Sequence, residues 1–262
     1  MFFKFKEIVE NHHEHARGLK ARGRKIVGYF CIYTPEELIY AAGAVPVRVL
    51  SCEEQPTLSD GYLQPFFCPF ARSILDQALK GKYDYLDGLI APASCDTLRL
   101  TYELWTRNIS LPFSDYVIVP TRVDTAKARV FYAKELARLK GVLERTFGTV
   151  ISDADLWHAI DVCNTSRSQM KELYALREAD RPIVSGTETL QVVLASMLTA
   201  KDEHNRLLRE VLEKLPSRPD PPSADIRLML VGSEIDNTAL LELVEGEPGA
   251  LVVTDDSCTG SR

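Results

Sequence analysis

The sequence of 262 residues carries 31 Lys and Arg against 37 Asp and Glu, a formal net charge of −6, with 45% hydrophobic and 26% charged residues. That length leaves room for two modest domains of about 100–200 residues each. An acidic balance without a basic stripe excludes a nucleic-acid surface, and no apolar run approaches the ~20 residues of a membrane span. The opening residues, MFFKFKEIVENHHEHARGLK, alternate charges at helical spacing and lack the apolar core of a secretory signal. The expected compartment is therefore the cytoplasm, where the cysteines at 31, 52, 68, 95, 163 and 258 are metal ligands, catalytic thiols or small buried hydrophobes rather than disulfides.

Residues 1–24 read as an N-terminal amphipathic helix, with His12, His13 and His15 on a solvated face. A first α/β domain is expected over 25–150. Lys25 to Cys31 has strand length and β-branched or aromatic content, and Thr34-Pro35-Glu36-Glu37 follows. There Thr34 is the expected N-cap, Pro35 the first helical residue and Glu37 the closing carboxylate of a capping box. Glu36 is left without a structural task near a strand's carboxyl end, which makes it a candidate general acid or base. The helix is expected to stop at Gly43, and Ala44 to Leu50 is the next strand, giving a right-handed βαβ unit.

After a loop over 51–67, Cys68-Pro69-Phe70-Ala71-Arg72 opens a helix with Pro69 at its first position and Cys68 at its cap. A thiolate there faces the positive end of the helix dipole, which lowers its pKa and favours metal ligation. Gly81 ends that helix, Leu86 to Ala91 is a third strand, and Cys95-Asp96 precedes a helix over 97–107, so Cys95 repeats the placement of Cys68. Tyr116 to Pro120 is the fourth expected strand.

Asp124 to Phe147, Asp153 to Ala179 and Ser185 to Leu215 are helical in period, with a helical segment assigned to 151–215 and Ser185-Gly186-Thr187-Glu188 reading as a capping box. Cys163 falls inside one of these helices as packing. A Pro- and Ser-rich linker spans 216–224, and a second α/β domain begins at 225, with strands over 225–231 and 250–253 around a helix over 237–245. Two strands do not bury both faces of a parallel sheet, so this second domain is expected to be incomplete and the chain to end short of it. The last stretch, DDSCTGSR, puts Cys258 just beyond a strand.

The fold class expected is thus α/β, with two parallel-sheet domains joined by a helical middle segment. Open α/β sheets gather ligands beyond the carboxyl ends of their strands, and Cys68, Cys95 and Cys258 all read as lying at such ends, where they can converge. Cys31 shares that edge and is open to two readings, a further ligand or core packing. A structural zinc site is disfavoured, because close CxxC pairs and a fourth protein ligand are missing.

GYFCIYTPEELIYAAGAVPVRVL, CPFARSILDQALKGKYDYLDGLI, ASCDTLRLTYELW, IRLMLVGSEID and DDSCTGSR resemble, in order, blocks of the 2-hydroxyacyl-CoA dehydratase and benzoyl-CoA reductase subunit family. The resemblance implies two Rossmann- or flavodoxin-like α/β domains, with a [4Fe-4S] cluster held by cysteines at the positions of Cys68, Cys95 and Cys258. It also implies a homologous second subunit, an ATP-dependent iron–sulfur activator protein that supplies single electrons, and an acyl-CoA substrate. The reaction implied is either dehydration of a 2-hydroxyacyl-CoA or reduction of an aromatic ring. Cys68-Pro69-Phe70 and the stretch from Gly81 to Gly88 lean towards the reductases, and Cys95-Asp96 towards the dehydratases. A different role is that of a non-catalytic partner subunit, cluster-bearing or clusterless, that shapes an interface; a cluster that only relays electrons needs the same cysteines.

Overall fold

A computed structural model describes residues 1–246 and 249–261. By its internal contacts the chain forms two compact units, one of Met1–His15 with Asp161–Arg262 and one of Ala16–Ile160.

The Ala16–Ile160 unit is built on four parallel strands, β1 (Lys25–Tyr29), β2 (Ala44–Arg48), β3 (Gly88–Pro92) and β4 (Ser114–Val117), in the order β2-β1-β3-β4. Growth of the sheet reverses between β1 and β3. With right-handed crossovers, the reversal puts the helix joining β1 to β2 on one face and the helices that follow β2 and β3 on the other. The first of these is α3 (Glu36–Ala41), and the other two are α4 (Pro69–Leu79) and α5 (Asp96–Asn108). Helix α6 (Ala126–Phe147) joins α3: Leu38, Ile39, Leu139 and Leu143 close over Val27, Ile90 and Val117 in one apolar cluster. Both sheet faces are covered, as the near-continuous apolar strands require. Gly88 is needed at the start of β3, because a Cβ there would overlap the Phe113 ring.

Several local expectations shift. Helix α3 starts one residue late, with Pro35 at the cap and no side-chain capping bond, so Thr34 and Glu37 do not form a capping box. Its end at Gly43, φ +79°, is as expected. Strand β4 lies earlier than Tyr116–Pro120 because its register is set by β3, pairing Leu89 with Ser114 and Pro92 with Val117. Ile118 has already left the ladder and gives its amide to Glu135 Oε1 at 3.0 Å.

In the Met1–His15 with Asp161–Arg262 unit, α1 (Phe3–Glu10) packs on α8 (Gly186–Leu198), which is followed by α9 (Lys201–Lys214). The expected single N-terminal helix breaks at Asn11, beyond which α2 (His12–Ala21) begins, and α7 (Asp153–Glu178) enters this unit at Asp161. The expected long helix over 185–215 also breaks. Thr199 is fully buried and extended, with its hydroxyl 2.8 Å from His15 Nε2, a partner outside the helix. His15 is therefore half-buried and hydrogen-bonded within this unit rather than fully solvated.

Strands β5 (Ile226–Val231) and β6 (Ala250–Asp256) pair in parallel, with a bulge between Leu228 and Met229, and α10 (Thr238–Gly246) lies between them in sequence. The anchor of this arrangement is Glu245. Its carboxylate accepts the amides of Gly186 (2.7 Å), Thr187 (2.9 Å) and Val252 (3.0 Å), together with the Thr187 hydroxyl (2.6 Å). Ser185 and Glu188 form the expected capping box alongside it. Among the described residues, no helix is long and apolar enough to cross a membrane.

Candidate functional site

The candidate ligands are distributed over both units, and each is defined by its own local frame. All six cysteines are thiols rather than disulfides. Cys68 and Cys95 are exposed and occupy the caps of α4 and α5, the two crossover helices that leave the carboxyl edge of the four-stranded sheet. The backbone of Cys95 is extended (φ −150°, ψ 156°), and its Sγ accepts the amide of Leu98 at 3.4 Å. At Cys68, by contrast, no side-chain capping bond forms, with Pro69 occupying the first helical position. Both thiols thus stand at the N-terminal ends of helices, and at Cys95 the sulfur itself accepts a helix amide.

The approach to Cys68 is organised from within α4. Asp76, almost fully buried, accepts the amides of Thr57 (2.7 Å), Leu58 (2.6 Å) and Ser59 (3.1 Å) and pairs with Lys80 at 2.7 Å. Burial alone would raise its pKa, but the Lys80 ammonium and the three amides outweigh that and hold the carboxyl below its ordinary value. A loop that reads as irregular in sequence is in this way pinned to a helix. Phe66 and Phe67 stack at 5.0 Å just before Cys68, with Phe66 exposed.

Cys31, two residues beyond β1, is buried, and its carbonyl accepts the Thr34 amide at 2.9 Å. Glu36 does have a structural partner: its Oε1 accepts the Tyr29 hydroxyl at 2.7 Å, a bond made across the β1–α3 turn that sequence spacing did not reveal.

Cys258 follows β6 in the other unit. Its amide donates to Ser233 O at 2.7 Å, and the Thr259 hydroxyl spans Ile235 N and O at 2.8 Å each. The Gly260 amide donates to Ser257 O at 3.2 Å. Asp255 holds the base of this turn. It accepts the Ser261 amide (2.7 Å) on Oδ1 and both Arg177 Nη1 and the Tyr174 hydroxyl (2.7 Å each) on Oδ2. Burial and the neighbouring Asp255 charge together push the Tyr174 hydroxyl well above its ordinary pKa. Arg262, the last residue of the DDSCTGSR stretch, lies outside the described residues. Within either unit, the described residues contain no group of three or more His, Cys, Asp or Glu side chains able to hold a metal ion by itself.

With this geometry in hand, the family model for the D-component of 2-hydroxyglutaryl-CoA dehydratase matches residues 31–262. The chain belongs to that D-component family. It is 28% identical to the (R)-phenyllactyl-CoA dehydratase beta subunit of Clostridium sporogenes over 100% of this chain and 70% of that protein. It is 30% identical to the beta subunit of the (R)-2-hydroxyglutaryl-CoA dehydratase of Acidaminococcus fermentans, over 93% of this chain and 64% of that one. It is 25% identical to a subunit of the benzoyl-CoA reductase of Thauera aromatica, over 89% and 61%. The chain thus spans between 61% and 70% of the length of these relatives. Family members act in both dehydratases and a reductase, so membership alone does not select between the two reactions.

Of the residues that build this frame, Asp76, Glu245 and the Arg177–Tyr174–Asp255 group carried little sequence signal. The i, i+3 spacing of Tyr174 and Arg177 on one face of α7 was the only visible hint, and it does not name the carboxylate they share.

Proposed function

We propose that this chain is the iron–sulfur subunit of an ATP-activated radical enzyme acting on acyl-CoA thioesters, by 2-hydroxyacyl-CoA dehydration or benzoyl-CoA-type ring reduction. The observation that carries the proposal is the pair of exposed thiols, Cys68 and Cys95, at the caps of two helices leaving one sheet edge, in a chain of the D-component family. Leu98 N donates directly to the Cys95 sulfur, the kind of hydrogen bond that orients a thiolate ligand. Cys258 is the third thiol, on a turn fixed by backbone and carboxylate contacts. The donor set fits a [4Fe-4S] cluster, whose usual protein ligands are thiolates tuned by hydrogen bonds to sulfur. When bound, such a cluster supplies one-electron chemistry and, with three protein thiolates, leaves one iron open to an outside ligand.

The other roles belong to side chains near the same edge. Glu36, oriented by the Tyr29 hydroxyl, is the candidate to carry a proton. Each of these relatives is named as one subunit of a larger enzyme, which supports a homologous partner subunit for this chain, and the proposal includes an ATP-dependent iron–sulfur activator and a cytoplasmic setting.

The test is iron and acid-labile sulfide per chain after anaerobic purification, for the parent and for Cys68→Ala, Cys95→Ala and Cys258→Ala. About four irons in the parent, lost in every variant, is the expected result for a cluster of that type. A folded parent without iron, or variants that keep it, would overturn the assignment.

A further inference from the structure

The geometry points to Asp255, backed by Arg177 and Tyr174, as the positioning device for Cys258, and so for the third thiolate of the cluster. The inference rests on the iron–sulfur reading above and concerns only side chains within the Met1–His15 with Asp161–Arg262 unit.

Asp255 closes the turn that carries Cys258 from both ends. Its backbone oxygen accepts the Ser261 hydroxyl at 2.6 Å while its side-chain Oδ1 accepts the Ser261 amide at 2.7 Å. The seven residues from Asp255 to Ser261 are thereby drawn into a ring with Cys258 at its crown. Gly260 is obligatory beneath it, because a Cβ at that position would fall on the Asp255 carboxylate and close to Ser257 Oγ. The second carboxylate oxygen is tied to α7 through Arg177 Nη1 and Tyr174 Oη. Arg177 is in turn fixed by a 2.8 Å bond from Nε to Val252 O, and its guanidinium carbon lies 5.1 Å from the centre of the Tyr174 ring. The turn is therefore referenced to α7 and to β6 at once.

A buried ion pair is a poor way to gain stability. Arg177 is 1% exposed, and desolvating both charges offsets most of their attraction, so an apolar pair of similar volume would hold the unit together about as well. What an apolar pair lacks is direction. Bonds from Asp255 fix the path from 255 to 261, and metal ligands need such orientation from the groups behind them. The arrangement is suited to holding one sulfur in place rather than to adding stability.

Two readouts test this. In the iron-free chain, the rate at which iodoacetamide alkylates Cys258 is followed by peptide mass spectrometry, with Cys68 and Cys95 as internal references. After anaerobic reconstitution, the loss of cluster absorbance to a chelator is timed. Asp255→Asn is expected to speed alkylation of Cys258 alone, by on the order of tenfold, in line with losing a charge-assisted hydrogen bond. Cluster release should quicken by roughly 10- to 100-fold, the usual cost of removing a group behind a metal ligand. Tyr174→Phe should give a smaller change in the same direction.

The paired variant Asp255→Leu with Arg177→Met separates positioning from stability, and it also serves if Asp255→Asn does not fold. It is expected to melt near the parent temperature and still to lose the protection of Cys258 and the retention of the cluster. Parental alkylation and parental cluster retention in that paired variant would sink the inference. A parent that takes up no iron would defeat the cluster reading instead, while the alkylation arm would still decide whether Asp255 positions Cys258.

Discussion

At the start of α8, the amides of Gly186 and Thr187 are taken by Glu245, a carboxylate from the chain itself, and Ser185 and Glu188 satisfy each other beside it. At the start of α5, the amide of Leu98 meets a sulfur on an exposed residue, and α4 begins at an exposed thiol without a side-chain cap. Helix N-termini have the same intrinsic need for acceptors. Where that need is met internally, the helix end is a structural joint. Where it is met by a solvent-facing sulfur, or not met by a side chain at all, the thiol at the helix end stays open to an outside partner. Among the described residues, these helix starts thus divide between one closed by the chain's own carboxylates and two that open at exposed thiols.

The largest effect should come from the internal joint. Glu245→Ala leaves the amides of Gly186, Thr187 and Val252 and the Thr187 hydroxyl without their carboxylate, so a loss of about 3 kcal/mol is expected. The urea midpoint measures it. A loss below about 1 kcal/mol, the worth of an ordinary cap, would erase the contrast with α5.

Asp76 is the corresponding joint behind the Cys68 loop, and Asp76→Asn should cost about 2 kcal/mol by removing charge from three amide contacts and Lys80. Because its folded pKa is lowered, its contribution is present above the unfolded carboxylate pKa of about 4 and fades as pH falls through the folded value. Amide exchange at 57–59 should rise in the variant while that of α5 stays unchanged. Equal loosening of both would show that the loop is not a separate device.

His204 reports on the sealed interior between α8, α9 and α1. Its Nε2 lies 3.0 Å from Val192 O and its ring 5.4 Å from that of Phe5, and burial, helped by the Lys201 charge, pushes its pKa down to about 3. The unfolded chain takes up that proton near pH 6.5, the folded one only far below. Stability should therefore be complete above about pH 6.5 and fall by up to about 1.4 kcal/mol per pH unit below it, until the folded pKa is reached. His204→Gln should flatten that segment of the pH–stability curve. An unchanged slope would assign the acid sensitivity to carboxylates instead.

How much of this was legible in the sequence follows from where each signal resides. Local chemistry was readable: the capping box at Ser185, the Gly43 stop, Pro69 after Cys68 and the cap position of Cys95 all depend on neighbouring residues. The α/β class with parallel pairing was readable from short apolar runs alternating with helical periods. Contacts between distant segments were not. Glu245 reaches across 59 residues to Gly186, and Arg177 across 78 to Asp255, and both acids look in sequence like ordinary charges. The same blindness left Glu36 without a partner and displaced β4, whose register is decided by β3 rather than by its own apolar pattern.

The smallest stability effect gives the sharpest comparison. Serine is a good N-cap, so Cys95→Ser should keep the acceptor for Leu98 N and leave stability within about 0.5 kcal/mol of the parent. Cys163→Ser places a hydroxyl at a buried position in α7 and should cost about 1–3 kcal/mol. Iron content should respond in the opposite order, abolished by the first change and retained by the second in molecules that remain folded. The two serines thus separate a thiol held at the surface for ligation from one used for packing. If Cys95→Ser instead unfolded the Ala16–Ile160 unit and left iron in place, α5 would start with a structural joint as α8 does, and the distinction between the two helix ends would collapse.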